Sequence, residues 1–137
     1  MDPPRAQYLR PEFNGEILNG EVCPVVTYIS VFDGTRNSLY ISPQIEGMLG
    51  FSSNEWLADP ELFFRQLHQE DRERVMEEVY HRQDTRKPFC SEYRLLARDG
   101  HVVWVRDEGI VLGDESGRPR LIQGVMLDIS EHKRKEE

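Results

Sequence analysis

The chain has 137 residues, of which 38% are hydrophobic and 31% charged, a composition typical of one soluble globular domain. Its formal net charge of −8 argues against nucleic-acid binding, because contacts to phosphate depend on concentrated lysine and arginine. No window approaches the roughly 20 apolar residues of a membrane span, and no secretory signal begins the sequence, so we expect no membrane insertion and a cytoplasmic location.

The first 20 residues contain three prolines, two glycines and two asparagines and show no sustained period. We predict a leader or linker there, with at most a short helical turn near Glu16, Ile17 and Leu18. Residues 23–32 are rich in β-branched and aromatic side chains and predict the first strand. Turn residues at 33–37 join it to a second short strand at 38–41, which gives an antiparallel hairpin.

Helix signals follow between residues 42 and 69. Ser42 before Pro43 is typical of a cap followed by proline at the first helical position, and Gly50 is typical of a helix end. Ser52 with Glu55 three residues later fits a capping box.

The longest helix is predicted over residues 69–83, and three strands over 88–98, 101–112 and 119–129. Two strands, several short helices and three more strands indicate an α+β fold. We therefore predict one five-stranded antiparallel sheet with the helices packed on one face. The domain should occupy residues 21–130, between a leader at 1–20 and the start of a helical linker at 131–137.

A series of short motifs runs through this pattern from residue 40 to residue 130. They read YISPQIEGMLGFS at 40–52, LHQEDR at 67–72, EYR at 92–94, RDG at 98–100, VWV at 103–105 and GVMLDIS at 124–130. In this order and spacing they resemble the PAS family, in the branch whose last part is called the PAC motif. One departure is Gln69, which stands where the family usually has the proline of a His-Pro pair.

The resemblance implies a glove-shaped sheet whose concave face and helices enclose a pocket. It also implies a non-catalytic sensory domain of a bacterial signal-transduction protein, such as a two-component histidine kinase or a cyclic-di-GMP enzyme. The residues agree with a non-catalytic domain. No nucleophile with an adjacent base, phosphate loop or metal-ligand spacing is present, and Cys23 and Cys90 form no CxxC pair.

Some members of this family bind flavin or haem, so the resemblance makes these the two cofactors to consider. A flavin photosensor of this fold carries a cysteine in the region equivalent to residues 62–71, where this chain has none, and it carries amides where Leu95, Val105 and Met126 stand. Apolar side chains do not compensate for burying the polar edge of a flavin. A haem would need an axial ligand such as His81, which follows Tyr80, lies near Glu78 and Arg82, and fits an exposed histidine at a helix end. We expect neither cofactor.

Strand alternation, combined with the family alignment, predicts which side chains face the pocket. The predicted set is Ile45, Leu49, Leu67, Val75, Tyr93, Leu95, Val105, Asp107, Ile122 and Met126. Two interpretations stay open: a hydrophobic core that these side chains fill, or a site for a small apolar or aromatic ligand, with Tyr93 and Asp107 as its polar contacts.

The opposite face of the sheet carries Trp104, Leu121, Val125 and Leu127. An uncovered sheet face is normally polar, so we predict that a second copy of the chain or a flanking helix covers this patch. We expect the chain to form a homodimer. We also expect Leu127→Glu to weaken dimerisation more than it unfolds the monomer.

The last predicted strand runs into Asp128 and Ser130, and Ser130 is a suitable N-cap for a charged helix. In the family, a helix at this position joins the sensory domain to its output domain. We therefore predict that Asp128 and Ser130 pass the signal to an output domain fused beyond residue 137. The alternative is a structural dimerisation module with a filled core and no ligand.

Overall fold

Three strands, four helices, three more strands and a last helix follow one another in the computed structural model, which describes residues 15–18, 21–31, 38–85 and 87–136. The strands are β1 Gly15–Leu18, β2 Glu21–Val31, β3 Ser38–Ile41, β4 Phe89–Leu96, β5 Val102–Gly113 and β6 Pro119–Asp128. The helices are α1 Gln44–Leu49, α2 Ser53–Ala58, α3 Leu62–Gln66, α4 Gln69–Thr85 and α5 Ser130–Glu136. The predicted turn at 33–37 and most of the predicted leader lie outside the described residues.

All the strand pairs are antiparallel, and β2 and β6 lie side by side although they come from opposite ends of the domain. The order is β4-β5-β6-β2, and both β1 and β3 pair with the other edge of β2. The five predicted strands are therefore confirmed as β2 to β6. The helical turn predicted near Ile17 is wrong: Ile17 lies in β1, opposite Val22 of β2.

Local capping explains two of the helix ends. Gly50 ends α1 with φ of +86°, and its N–H donates to the carbonyl of Glu46, a backbone conformation that glycine adopts without strain. The capping box before α2 is confirmed, because Ser52 Oγ accepts from the Glu55 N–H at 3.1 Å and Glu55 Oε1 accepts from the Ser52 N–H at 2.9 Å.

Ser42, predicted as the cap of α1, makes no cap bond. Its Oγ instead accepts the N–H of Thr27 in β2 at 3.0 Å, and its own N–H donates to the Thr27 carbonyl at 2.8 Å. Ser42 therefore fastens the end of β3 to β2, and α1 begins without a side-chain cap.

The core lies between the helices and one face of the sheet, which we call the inner face. Its cluster of buried residues includes Ile45 and Leu49 from α1, Val75 from α4 and Val105 from β5. The opposite face of the sheet is called the outer face below. Among the described residues, no helix is long and apolar enough to cross a bilayer.

Candidate functional site

The inner face brings together most of the predicted pocket residues and leaves almost none of their surface exposed. Eight of the ten belong to the core cluster, and Asp107 and Ile122 lie outside it. Six of the ten have no exposed surface, and the largest exposed fraction in the set is 8%. The six are Ile45, Leu67, Val75, Tyr93, Leu95 and Val105. These side chains pack against one another.

A carboxyl group with two tyrosines is the polar feature of the inner face. Asp107 is 4% exposed, and its two oxygens accept hydrogen bonds from Tyr28 Oη at 2.6 Å and Tyr93 Oη at 2.8 Å. The predicted pair of Asp107 and Tyr93 is therefore in contact, and Tyr28 is a third member that the sequence analysis missed.

Aromatic rings lie across this part of the sheet because Gly109 and Gly124 leave the space of a side chain open. Tyr28 lies opposite Gly124 in the register of β2 and β6, and a Cβ on Gly124 would lie 2.5 Å from Cζ of Tyr28. The ring of Phe89 similarly occupies the place above Gly109, where a Cβ would lie 2.4 Å from its Cζ. Strand alternation placed Gly124 correctly, but only the register shows which ring covers it.

A cleft of about 360 Å³ opens between α4 and the first residues of β4. Phe89 and Ser91 form part of its wall, and α4 contributes Arg74 and Glu78. Glu78 accepts from Arg74 at 3.1 Å and from Ser91 Oγ at 2.7 Å. None of the ten predicted pocket residues lines this cleft. Among the described residues, no cluster of three or more His, Cys, Asp or Glu side chains could hold a metal ion.

The outer face holds a second, smaller cluster of buried residues. Val25, Leu127 and Ile129 form it, and Trp104 and Val125 pack against it. Leu127 is 2% exposed within a single chain, because the sheet and its neighbours cover it. Leu127→Glu would therefore bury a charge in the monomer, so this variant tests folding together with dimerisation, and its effect on the dimer stays a prediction. Leu121, the fourth residue predicted for this face, is partly exposed and lies outside the cluster.

Two cations lie over the ring of Trp104 on the outer face. The guanidinium carbon of Arg94 is 5.1 Å from the ring centroid, and Nζ of Lys133 in α5 is 4.8 Å from it, both within the range of a cation–π interaction. Lys133 also forms a salt bridge of 2.8 Å with Glu92 of β4, and this bond raises the pKa of Lys133. Helix α5 is thus held against β4 and β5.

Arg94 is in turn fixed by the start of α4. Asp71, which is 7% exposed, accepts from the Arg94 backbone N–H at 2.8 Å, from Nε at 2.9 Å and from Nη2 at 2.8 Å. The hydrogen bonds from Arg94 hold the pKa of Asp71 below its ordinary value of 3.8. One carboxylate therefore anchors both the edge of the sheet and the cation that stacks on Trp104.

The junction between β6 and α5 is bonded to the backbone of Trp104. Ser130 Oγ accepts the Trp104 N–H at 2.9 Å, and the Ile129 N–H donates to the Trp104 carbonyl at 2.9 Å. Ser130 is the first residue of α5 and not its N-cap as predicted. Ile129 accepts the first helical bond, from Lys133, and Asp128 Oδ1 accepts the Ser130 N–H at 3.0 Å. The Ser130 hydroxyl therefore bonds the backbone of β5 and does not cap α5.

The sequence profile of the family described as PAS fold matches residues 38–126, about two thirds of the chain. The chain belongs to the PAS-fold family. The N-terminal domain of a diguanylate cyclase with PAS/PAC sensor from Marinobacter aquaeolei is 33% identical. The similarity covers 80% of this chain and 98% of that one, with a TM-score of 0.73.

Two further proteins are similar to this chain. A sensory box histidine kinase/response regulator from Burkholderia thailandensis E264 is 25% identical over 82% of each chain, with a TM-score of 0.65. A methyl sulfide methyltransferase-associated sensor from Methanosarcina acetivorans is 30% identical over 90 residues, which are 65% of this chain. The matched segment spans only 9% of that relative's length. The chain is therefore a PAS sensory domain, homologous to those of diguanylate cyclases and histidine kinases, and such domains are generally non-catalytic.

Proposed function

We propose that this PAS domain regulates a larger signal-transduction protein, a sensor histidine kinase or an enzyme of cyclic-di-GMP metabolism, and that α5 carries its signal. The observation that carries the proposal is the bonding of the β6–α5 junction to both backbone polar groups of Trp104. A shift of β5 would move Trp104 and, with it, the first turn of α5. The diguanylate cyclase and histidine kinase relatives support the proposed outputs.

A fusion protein tests this route. The chain would be joined after residue 136 to the catalytic domain of a diguanylate cyclase, and the rate of cyclic-di-GMP synthesis measured. We expect Ser130→Ala and Lys133→Met to change that rate, because both loosen α5 from β5. Lys135→Met, an exposed substitution in the same helix, is the matched control and should leave the rate unchanged. Equal rates in all the variants would contradict the route through α5.

We also propose that the domain forms a homodimer through the outer face around Leu121 and Val125. Both are partly exposed apolar side chains of β6, and an apolar sheet face favours a partner of the same character. Val125→Glu should shift the sedimentation coefficient towards the monomer. Leu39→Glu on β3, where the side chain is 58% exposed, introduces the same charge elsewhere and should leave the dimer intact. A dimer unchanged by Val125→Glu would exclude this interface.

A second candidate function is a structural dimerisation module without a ligand. The closed inner face favours it, because Tyr93, Leu95 and Val105 have no exposed surface. Native mass spectrometry separates the two functions: a co-purifying small molecule, or a melting shift in a metabolite screen, supports the sensor. A ligand-free protein that no metabolite stabilises supports the scaffold. We propose that the domain holds neither haem nor flavin, which an absorbance spectrum checks directly through the Soret and flavin bands.

A further inference from the structure

Strand β4 is an edge of the sheet, and the helical segment covers the second half of that edge. The Arg94 carbonyl accepts the His68 N–H at 2.9 Å, and the Arg94 N–H donates to Asp71 Oδ2 at 2.8 Å. Nearer the end of the strand, Gln66 Nε2 donates to the Leu96 carbonyl at 2.8 Å. An uncovered strand edge is a template for pairing with another chain, so these contacts protect β4 around Arg94 and Leu96.

The first half of the same edge is open. Backbone groups alternate in direction along an antiparallel strand, so the N–H and carbonyl of Cys90 and Glu92 point away from β5, as those of Arg94 do. Arg74 Nη2 donates to the Glu92 carbonyl at 2.7 Å. Among the described residues, none bonds to the Cys90 N–H, the Cys90 carbonyl or the Glu92 N–H. A donor, an acceptor and a second donor therefore remain within roughly 7 Å of the β4 edge.

A cleft of about 360 Å³ lies beside this open stretch. On the strand side it is lined by three consecutive residues of β4, Phe89, Cys90 and Ser91. Its other wall is one face of α4, because residues spaced by three, four and seven lie on the same side of a helix. The residues of this wall are Arg74, Glu77, Glu78 and His81. The cleft is thus bounded by a helix and by the open edge of a strand.

The charged side chains of the lining are partnered within the cleft. Arg74 Nη1 lies 3.1 Å from Glu78 Oε1, and Glu77 Oε1 lies 3.8 Å from His81 Nε2. Ser91 Oγ donates to Glu78 Oε1 at 2.7 Å. These pairs leave the open backbone groups of β4 as the feature of the cleft that selects a ligand. The backbone N–H and carbonyl groups of an extended peptide match them, and a peptide without charged side chains disturbs none of the pairs.

We propose that the cleft between α4 and the first half of β4 binds an extended, uncharged segment of a partner protein, which adds to the sheet as a strand beside β4. The segment accepts from the N–H groups of Cys90 and Glu92 and donates to the Cys90 carbonyl. The α4 wall leaves room beside the edge for a chain segment, whereas the β4 of a second copy brings its own α4 to the same place. This site adds a partner to the regulatory function proposed above and does not depend on it.

An uncharged capped pentapeptide, acetyl-Thr-Val-Thr-Val-Thr-amide, is the probe, and its matched control is the same peptide N-methylated at every residue, which lacks their N–H donors. Each is titrated into the isotope-labelled chain while NMR follows the Cys90 and Glu92 amides. We expect saturable shifts with the probe and binding at least about tenfold weaker for the control. At saturation both amides should exchange hydrogen about tenfold more slowly. The His101 amide, which donates to Asp99 beyond the far end of β4, should keep its exchange rate.

Cys90→Pro removes one of the two donors at the open edge. Because this N–H points away from β5, proline there does not interrupt the ladder between β4 and β5. We expect the variant to bind the probe on the order of fivefold more weakly, since one hydrogen bond is lost. Cys90→Ala keeps the N–H and is the matched control, so it should bind the probe as the unaltered chain does.

Three results would overturn the proposal: unshifted Cys90 and Glu92 amides with the probe, equal binding of the N-methylated peptide, or equal affinities of Cys90→Pro and Cys90→Ala. Protection of the two amides that rises with protein concentration in the absence of peptide would assign the edge to a second copy, and would overturn it as well. If Cys90→Pro does not fold, the two peptides on the unaltered chain give the same test. The cyclase fusion and sedimentation results do not depend on this outcome, so its failure is distinguishable from failure of the proposed function.

Discussion

The two faces of the sheet hold their polar groups in different ways. On the inner face, the Asp107 carboxylate is enclosed and takes its hydrogen bonds from Tyr28 and Tyr93. On the outer face, the cation of Lys133 lies over the ring of Trp104, and its ion pair with Glu92 remains partly exposed. A buried polar group resists any packing that leaves it without a hydrogen bond, because an unpaired buried group is costly. The partners of an exposed ion pair can instead be solvated by water, so the pair separates at little cost. The inner face is therefore suited to fixing the fold, and the outer face to changing its contacts.

Strand β5 connects the faces, because successive residues of a strand point to opposite sides. Val105 and Asp107 lie on the inner face, while Trp104 lies on the outer face and bonds the start of α5 through its backbone. A ligand that moved β5 from the inside would thus act on α5 without a separate relay.

The largest effect is expected from Leu127→Ala, because this outer-face side chain is buried like a core residue. Removing a buried leucine side chain costs about 2–4 kcal/mol of unfolding free energy. Leu121→Ala, at a partly exposed position of the same face, should cost less than about 1 kcal/mol. Urea denaturation measures both. Similar losses for the two variants would show that Leu127 does not belong to a second core.

Asp71→Asn should lower stability by about 2 kcal/mol at neutral pH, because it removes charge-assisted hydrogen bonds to Arg94. The pKa of Asp71 is lowered by folding, so its stabilisation is present above the ordinary value of 3.8 and is lost as the pH falls towards the lower folded value. The difference between the two proteins should therefore shrink below about pH 4. Thermal melts from pH 7 to pH 2.5 test this, and a constant difference would contradict the role of the charge.

Tyr93→Phe should cost about 1–2 kcal/mol, since it leaves Oδ2 of the buried Asp107 without its tyrosine donor. Tyr28→Phe should cost less, because Tyr28 is partly exposed and water can replace its hydroxyl. Urea denaturation of the two variants measures this order. A larger loss for Tyr28→Phe would show that the cluster is more open than the burial of Tyr93 indicates.

The smallest effect is expected from Lys133→Met, about 0.5 kcal/mol, because its interactions with Trp104 and Glu92 are only partly shielded from solvent. A double-mutant cycle with Glu92→Gln separates the salt bridge from the contact with the ring. The stability change of Lys133→Met should persist in part when Glu92 is already Gln, since Trp104 still interacts with the cation. Complete loss of the effect would assign it to Glu92 alone.

Local sequence patterns predicted those parts of the molecule that local physics determines. The five strands β2 to β6, the Gly50 helix end and the box of Ser52 and Glu55 follow from periodicity and capping chemistry. Ser42 and Ser130 were assigned wrongly for one shared reason: each hydroxyl accepts a backbone N–H from another strand, which neighbouring residues do not reveal.

The polar cluster and the positions of the rings over Gly109 and Gly124 depend on register and could be predicted only in part. Alternation placed Tyr93 and Asp107 on one face, but Tyr28 reaches Asp107 across Gly124 only because β2 pairs with β6. Strand β1 is four residues long, too short to show a period, and its pairing with β2 depends on contacts distant from any local signal.

Hydrogen exchange of Ser130→Ala tests most directly whether α5 is attached to the sheet through Trp104. The Trp104 amide loses its acceptor, and the first helical bond, from the Lys133 N–H to Ile129, loses its support. Both amides should exchange about fivefold faster than in the unaltered chain, while the amides of Val105 and Met126 should keep their rates. Unchanged exchange at Trp104 and Lys133 would contradict the attachment and the signalling route proposed from it.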